Sequence, residues 1–117
     1  MSSAADAITD FVAPILGDGW RMQFGQWIDD GTDKRYAVLK PAGGLPAGLV
    51  RQPQFTLSLI SAENEERQVP YDAANRIVEA MRTSSGALVY MESGEPVPMP
   101  TNDGRAVFEL AISTITN

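Results

Sequence analysis

The chain contains no cysteine and no histidine. The first absence excludes a disulfide framework and any thiolate-held zinc or iron–sulfur site, so stability has to come from packing or from association. The second removes the commonest transition-metal ligand, the usual neutral-pH general base, and every Ser-His or Cys-His nucleophile arrangement. Basic residues are scarce as well: Lys and Arg together number 9 against 15 Asp and Glu, and no basic run exceeds the pair Lys34–Arg35. A chain with a formal charge of −6 offers no footprint for a phosphate backbone, so nucleic-acid sequence recognition is not expected. No apolar stretch approaches the ~20 residues of a membrane span, and acid stands at Asp6 where a secretory leader would carry base. The expected setting is a cytoplasm, without membrane or cofactor, and the chemistry left over is that of carboxylate, lysine and tyrosine.

What is present describes one globular domain. At 117 residues, 44% hydrophobic and 21% charged, the chain suits a single core over 1–117 and argues against disorder throughout. Between Ala4 and Leu16 the residues Ile8, Phe11, Val12 and Ile15 recur at i, i+3, i+4 and i+7. That is one stripe of a helix, with Ser2 or Ser3 to cap it and Pro14 expected to end or kink it before Gly17-Asp18-Gly19. Trp20, Met22 and Phe24 alternate with polar neighbours, and Tyr36 to Leu39 is a second β run; the Asp29–Asp33 turn between them makes a hairpin the expected arrangement. The return strand is expected to stop at Pro41, leaving a flexible glycine- and proline-rich loop around 41–53.

Phe55, Leu57 and Leu59 mark the clearest strand, followed by the acidic turn Glu63–Glu66. Ala74, Ile77, Val78 and Met81 then return to helical spacing, with Asp72 toward the positive end of the helix and Arg82 toward the negative end. Ala87 to Met91 reads as a short strand. The stretch Ser93 to Pro100 carries too many prolines for a central strand and is expected at an edge or in an extended loop. Ala106, Phe108, Leu110 and Ile112 alternate in the last strand. The predicted class is α+β: two helices packed on a mostly antiparallel or mixed sheet of about five strands.

Motifs that carry chemistry are weak here. Asp29-Asp30-Gly31-Thr32-Asp33 has the oxygens of a calcium loop but lacks the glutamate an EF-hand needs at its twelfth position, so an ordinary turn is the better reading. Gly43, Gly44 and Gly48 lack the Lys-Ser/Thr ending and following helix of a phosphate loop. Glu63, Glu65 and Glu66 are read as a solvated turn, because acid–base work needs one carboxyl desolvated. Trp20, Trp27 and Tyr36 are candidates for core or for an interface, and Met99, alone among prolines, for a partner contact or an edge cover.

The order of these segments resembles the tail-terminator family of long-tailed bacteriophages. The resemblance rests on the helix-first order, on the strand Arg35 to Gly44, on the strand Gln54 to Ile60 and on the helix from Tyr71 to Val78. It rests finally on the closing stretch Glu95 to Leu110, where a proline-containing linker and Asp103-Gly104-Arg105 feed the last strand. The C-terminal residues Ser113 to Asn117 depart from the family's more basic and apolar ending. The resemblance implies a structural virion protein at the head-proximal end of the tail and no enzyme. It implies a ring, usually a hexamer, that caps the tail tube, stops its polymerisation and offers a joining surface to head-completion or connector proteins. Interface candidates are then Trp27, Leu45, Leu49, Val50, Arg51 and Met99. Two alternatives stand beside it: another tail-tube, minor capsid or connector component, which as a tube subunit forms open-ended polymers, and a ligand-binding α+β domain using Tyr36, Tyr71 or a carboxylate beneath the Gly43 loop.

Overall fold

In the computed structural model, residues 4–28, 31, 33–45, 52–83, 90–99 and 105–115 are described, with backbone alone at 4, 43–45, 52–53, 90–92 and 115. Helix α1 (Ala4–Leu16) leads into β1 (Trp20–Phe24) and β2 (Arg35–Leu45), followed by β3 (Gln52–Ile60) and α2 (Gln68–Thr83). Then come β4 (Tyr90–Ser93), β5 (Val97–Met99) and β6 (Val107–Ile115). The sheet order is β1-β2-β3-β6-β4, and β5 also pairs with β6, so β4 and β5 are two pieces of one edge and the sheet is five strands wide. The mixed α+β class read from the sequence is the one found.

Both helices form for the reason their spacing gives. In α1 the fully buried Ile8 and Val12 lie a turn apart, with Leu16 below them and Phe11 and Ile15 half-buried at the flank. Pro14 does not end it. The N–H it lacks would have bonded the Asp10 carbonyl, and Asp10 and Pro14 are both exposed, so that acceptor is open to water and the helix runs on to Leu16. The stop comes from Gly17, whose φ of +79° suits glycine and whose N–H donates to the Ala13 carbonyl at 2.9 Å. The proposed caps Ser2 and Ser3 lie outside the described residues. Helix α2 buries Ala73, Ala74, Ile77, Val78 and Met81, and it starts at Gln68, earlier than the periodicity alone suggested. Asp72 therefore sits in the second turn, bonded by the Gln68 amide at 2.7 Å, and not at the helix start.

One pairing corrects the sequence reading: β1 and β2 are parallel, in the register Trp20↔Arg35 to Phe24↔Leu39, and do not form a hairpin. Ten residues, 25–34, carry the chain back to the start of β2. Extended, ten residues span about 33 Å, ample to return along a five-residue strand. Gly25, at φ +86°, turns the chain off β1 while its N–H still donates to the Leu39 carbonyl at 2.8 Å.

A second correction concerns the segment after Lys40. Strand β2 does not stop at Pro41; it shifts register between Pro41 and Gly43 and continues to Leu45 against Gln52 of β3. The bulge absorbs the proline, and cross-strand pairing supplies what local propensity does not. Residues 46–51 lie outside the described residues.

Alternation sorts the strands into two faces. Ala37, Leu39, Phe55, Leu57, Leu59, Leu110 and Ile112 join the helices in the main core. Tyr36, Val38 and Ile60 form a smaller cluster on the opposite face, where Trp27 of the crossover and Val107 pack against them.

Candidate assembly surfaces

The crossover is held at both ends. Near its start the Gln23 side chain closes on Ile28, donating to its carbonyl at 2.8 Å and accepting from its N–H at 2.9 Å. At its far end the guanidinium of Arg105, only 2% exposed, donates to the carbonyls of Ser61 at 2.9 Å, Lys34 at 2.9 Å and Gly31 at 3.2 Å. The same group lies 5.3 Å from the Trp27 ring centre and 5.5 Å from that of Tyr36, whose rings meet edge to face. Arg105 thereby joins the start of β6 to the end of β3 and to the crossover, a role that no spacing in the sequence announced. The only signal was its place directly after Asp103-Gly104 and before an apolar strand.

Two of the residues proposed for binding are used inside the chain. Tyr36 is completely buried in this cluster, and its hydroxyl donates to Gly31 at 3.4 Å. Trp27 is half-buried against it, its indole N–H enclosed and without a hydrogen-bond acceptor. Tyr71 belongs to the other face, at the start of α2, with its ring centre 5.4 Å from that of Phe108. Tyr36 and Tyr71 therefore share no pocket.

Among the acids, Glu63 and Glu66 are exposed as expected, but Glu65 is not a solvated turn residue. Its carboxylate accepts both Arg35 Nε contacts, at 2.9 and 3.0 Å, and the Ala62 N–H at 3.3 Å. Hydrogen bonding from Arg35 holds the Glu65 carboxyl below its ordinary range, with partial burial opposing it, and the same bonds push Arg35 further up. The pair closes one wall of a mixed-charge cleft of about 250 Å³ that also includes Asp18, Arg21, Asp33 and Lys34. Asp29, Asp30 and Thr32 of the calcium-like turn lie outside the described residues.

The exposed large hydrophobic side chains gather at the margins of the sheet. Among the described residues the exposed large hydrophobic side chains are Phe24 and Ile28 beside β1, and Tyr71, Val97 and Met99 beside β5. These are opposite edges of one sheet. At the β5 edge a groove of about 290 Å³ is lined by Arg67, Gln68, Tyr71, Pro96, Pro98 and Phe108, and the Arg67 guanidinium lies 5.5 Å from the Phe108 ring centre. The prolines do stand at an edge, as expected of them: Val97 to Met99 pair only with β6. Of the interface candidates, Met99 is exposed there, Leu45 ends β2 with only its backbone described, and Leu49, Val50 and Arg51 lie outside the described residues.

No helix among the described residues is long and apolar enough to cross a membrane. The whole chain, residues 1–117, matches the model of a family described as phage tail termination protein. No curated protein matches it.

Proposed function

From the membership of this chain in the phage tail termination protein family, we propose that it closes into a ring on the head-proximal end of the tail tube. There it stops tube polymerisation and presents the surface to which head-completion or connector proteins join. The observation that carries this reading is the family match over residues 1–117.

The surface chemistry supports it. A terminator makes contacts and turns nothing over, and a chain without histidine or cysteine is suited to that work. A ring needs two different patches per subunit, one meeting the other on the next copy, and the exposed apolar residues fall into two such groups. Six copies is the number the family resemblance implies. In this reading Met99 belongs to a subunit contact, with Trp27 beside the other patch. The segment Leu45 to Arg51, with Leu49 and Val50, meets a neighbouring copy or the tube.

Purified tube protein assembled with and without this chain tests the function. Tubes that stop growing and show a cap at one end by electron microscopy are the expected result. Tubes of unrestricted length with bare ends at saturating amounts of the chain would remove the proposal.

A further inference from the structure

The two apolar patches are related by the register of the sheet. Following one row of partners from β1, Phe24 lies beside Leu39, Leu39 beside Leu57, and Leu57 beside Leu110. Strand β5 pairs with β6 as Val97↔Glu109 and Pro98↔Phe108, and Pro96, just before it, lines the groove beside Phe108. The row below runs from Met22 through Ala37, Leu59 and Phe108 to Pro98. Both rows belong to the helix-bearing face, since Ala37, Leu39, Leu57, Leu59 and Leu110 all lie in the main core. The exposed Phe24 at one margin and the groove lined by Pro96, Pro98, Phe108 and Tyr71 at the other thus share the same face and the same level.

We propose that a second copy of this chain occupies that groove, inserting Phe24, flanked by Met22, between Tyr71 and the prolines of its neighbour. The proposal rests on the ring reading above and specifies the contact that builds it. Strand directions agree with it: β1 and β2 run together, β3 against them, β6 with them and β5 against them. Copies related by rotation about an axis along the strands therefore bring β1 against an antiparallel β5, level with level.

The joint is made by side chains because the backbone at the β5 margin has little to offer. Pro98 has no N–H, so the ladder to β6 runs through Val97 and Met99, and the backbone of 96 and 98 faces outward. Prolines at both positions leave that edge without donors, a device that prevents open-ended sheet fusion. An aromatic side chain seated in a pocket is then the element able to hold two copies together, as buried aromatic anchors do in other interfaces.

The absence of cysteine makes a direct test clean. Met22→Cys and Pro98→Cys, which share one row and leave Phe24 in place, are made as separate proteins, and a short bis-maleimide is added to each alone and to their mixture, with native mass of the unmodified chain measured in parallel. Covalent dimers in the mixture but in neither protein alone are expected. A chain carrying both substitutions is expected to give a ladder ending at the copy number of the ring. If the unmodified chain forms rings but the mixture stays uncrosslinked, or either single variant crosslinks to itself, this contact is wrong and the ring reading survives. A unmodified chain that remains a lone subunit at every concentration, and beside the tube protein, overturns both. Phe24→Asp gives a second readout: Phe24 is 57% exposed, so folding measured by circular dichroism is expected to persist while self-association weakens at least tenfold.

Discussion

The two faces of the sheet are covered by different means. On one, α1 and α2 bring a stripe of aliphatic residues against Leu39, Leu57, Leu59 and Leu110, and burial of apolar area does nearly all the holding. On the other, Trp27 of the crossover packs over Tyr36, Val38 and Ile60, and a buried guanidinium bonds three of the surrounding carbonyls. The first face loses stability in proportion to volume removed. The second leans on one polar group, whose loss takes a donor from three carbonyls at once.

The sharpest way to break the comparison is to remove one element from each face. Leu57→Ala, at a fully buried site on the helix side, is expected to cost about 3 kcal/mol through lost transfer energy and the cavity left behind. Arg105→Met keeps the apolar length but leaves the Ser61, Lys34 and Gly31 carbonyls without that donor, at a cost of about 2–3 kcal/mol. Urea titrations followed by tryptophan fluorescence measure both. The two differ in kind: Arg105→Met is also expected to change the environment of Trp27 in the native baseline, whereas Leu57→Ala is not. An Arg105→Met protein of unchanged stability would show that the crossover needs no anchor.

This contrast also explains what was legible in the sequence. The helices and the strands of the main face announce themselves through periodicity, which is local: Ile8 and Val12, or Leu57 and Leu59, sit where their spacing puts them. The parallel direction of β1 was not legible, because alternation reads the same whichever way a strand is laid down. Arg105 was not legible either, since its carbonyl partners lie 44, 71 and 74 residues away in the chain. Glu65 looked like one acid among three until the fold brought Arg35 beside it. The candidate contact surface was half legible. Met99 and its prolines signalled an edge, while Phe24, read as the inner face of a strand, is left open because it lies at the exposed end of β1.

A smaller effect is expected where an ion pair supports the start of β2. The Glu65 carboxyl is held below its unfolded range by Arg35, so its contribution is present above the unfolded pKa of about 4.3 and is lost as pH falls through the lower folded value. Glu65→Gln is expected to cost about 1 kcal/mol at pH 7, the scale of one partly exposed charged hydrogen bond. The difference between the two proteins is expected to shrink toward zero below pH 4. A gap that stays constant from pH 7 down to pH 3 would mean that charge is not what Glu65 contributes. This pair lies on the helix-bearing face, with the Arg35 guanidinium 5.8 Å from the Trp20 ring centre, and its carboxylate is partly exposed, so its loss is milder than that of the buried Arg105.

The smallest effect is expected at the other end of the crossover, and it decides where that segment is actually held. Gln23→Ala removes both hydrogen bonds to Ile28, yet both are exposed and water replaces them at little net cost. Global stability is expected to fall by no more than about 0.5 kcal/mol. The amide of Ile28 nevertheless loses its acceptor, so its hydrogen exchange is expected to accelerate severalfold while that of Ser61, which donates to Ala106 in the cluster around Arg105, stays slow. If exchange quickens at both ends together, the crossover opens as one unit and Gln23 carries more of its hold than its exposure suggests. If it quickens at Ile28 alone, the segment is tethered at Arg105, and the stretch bearing Ile28 can move without disturbing the face beneath it.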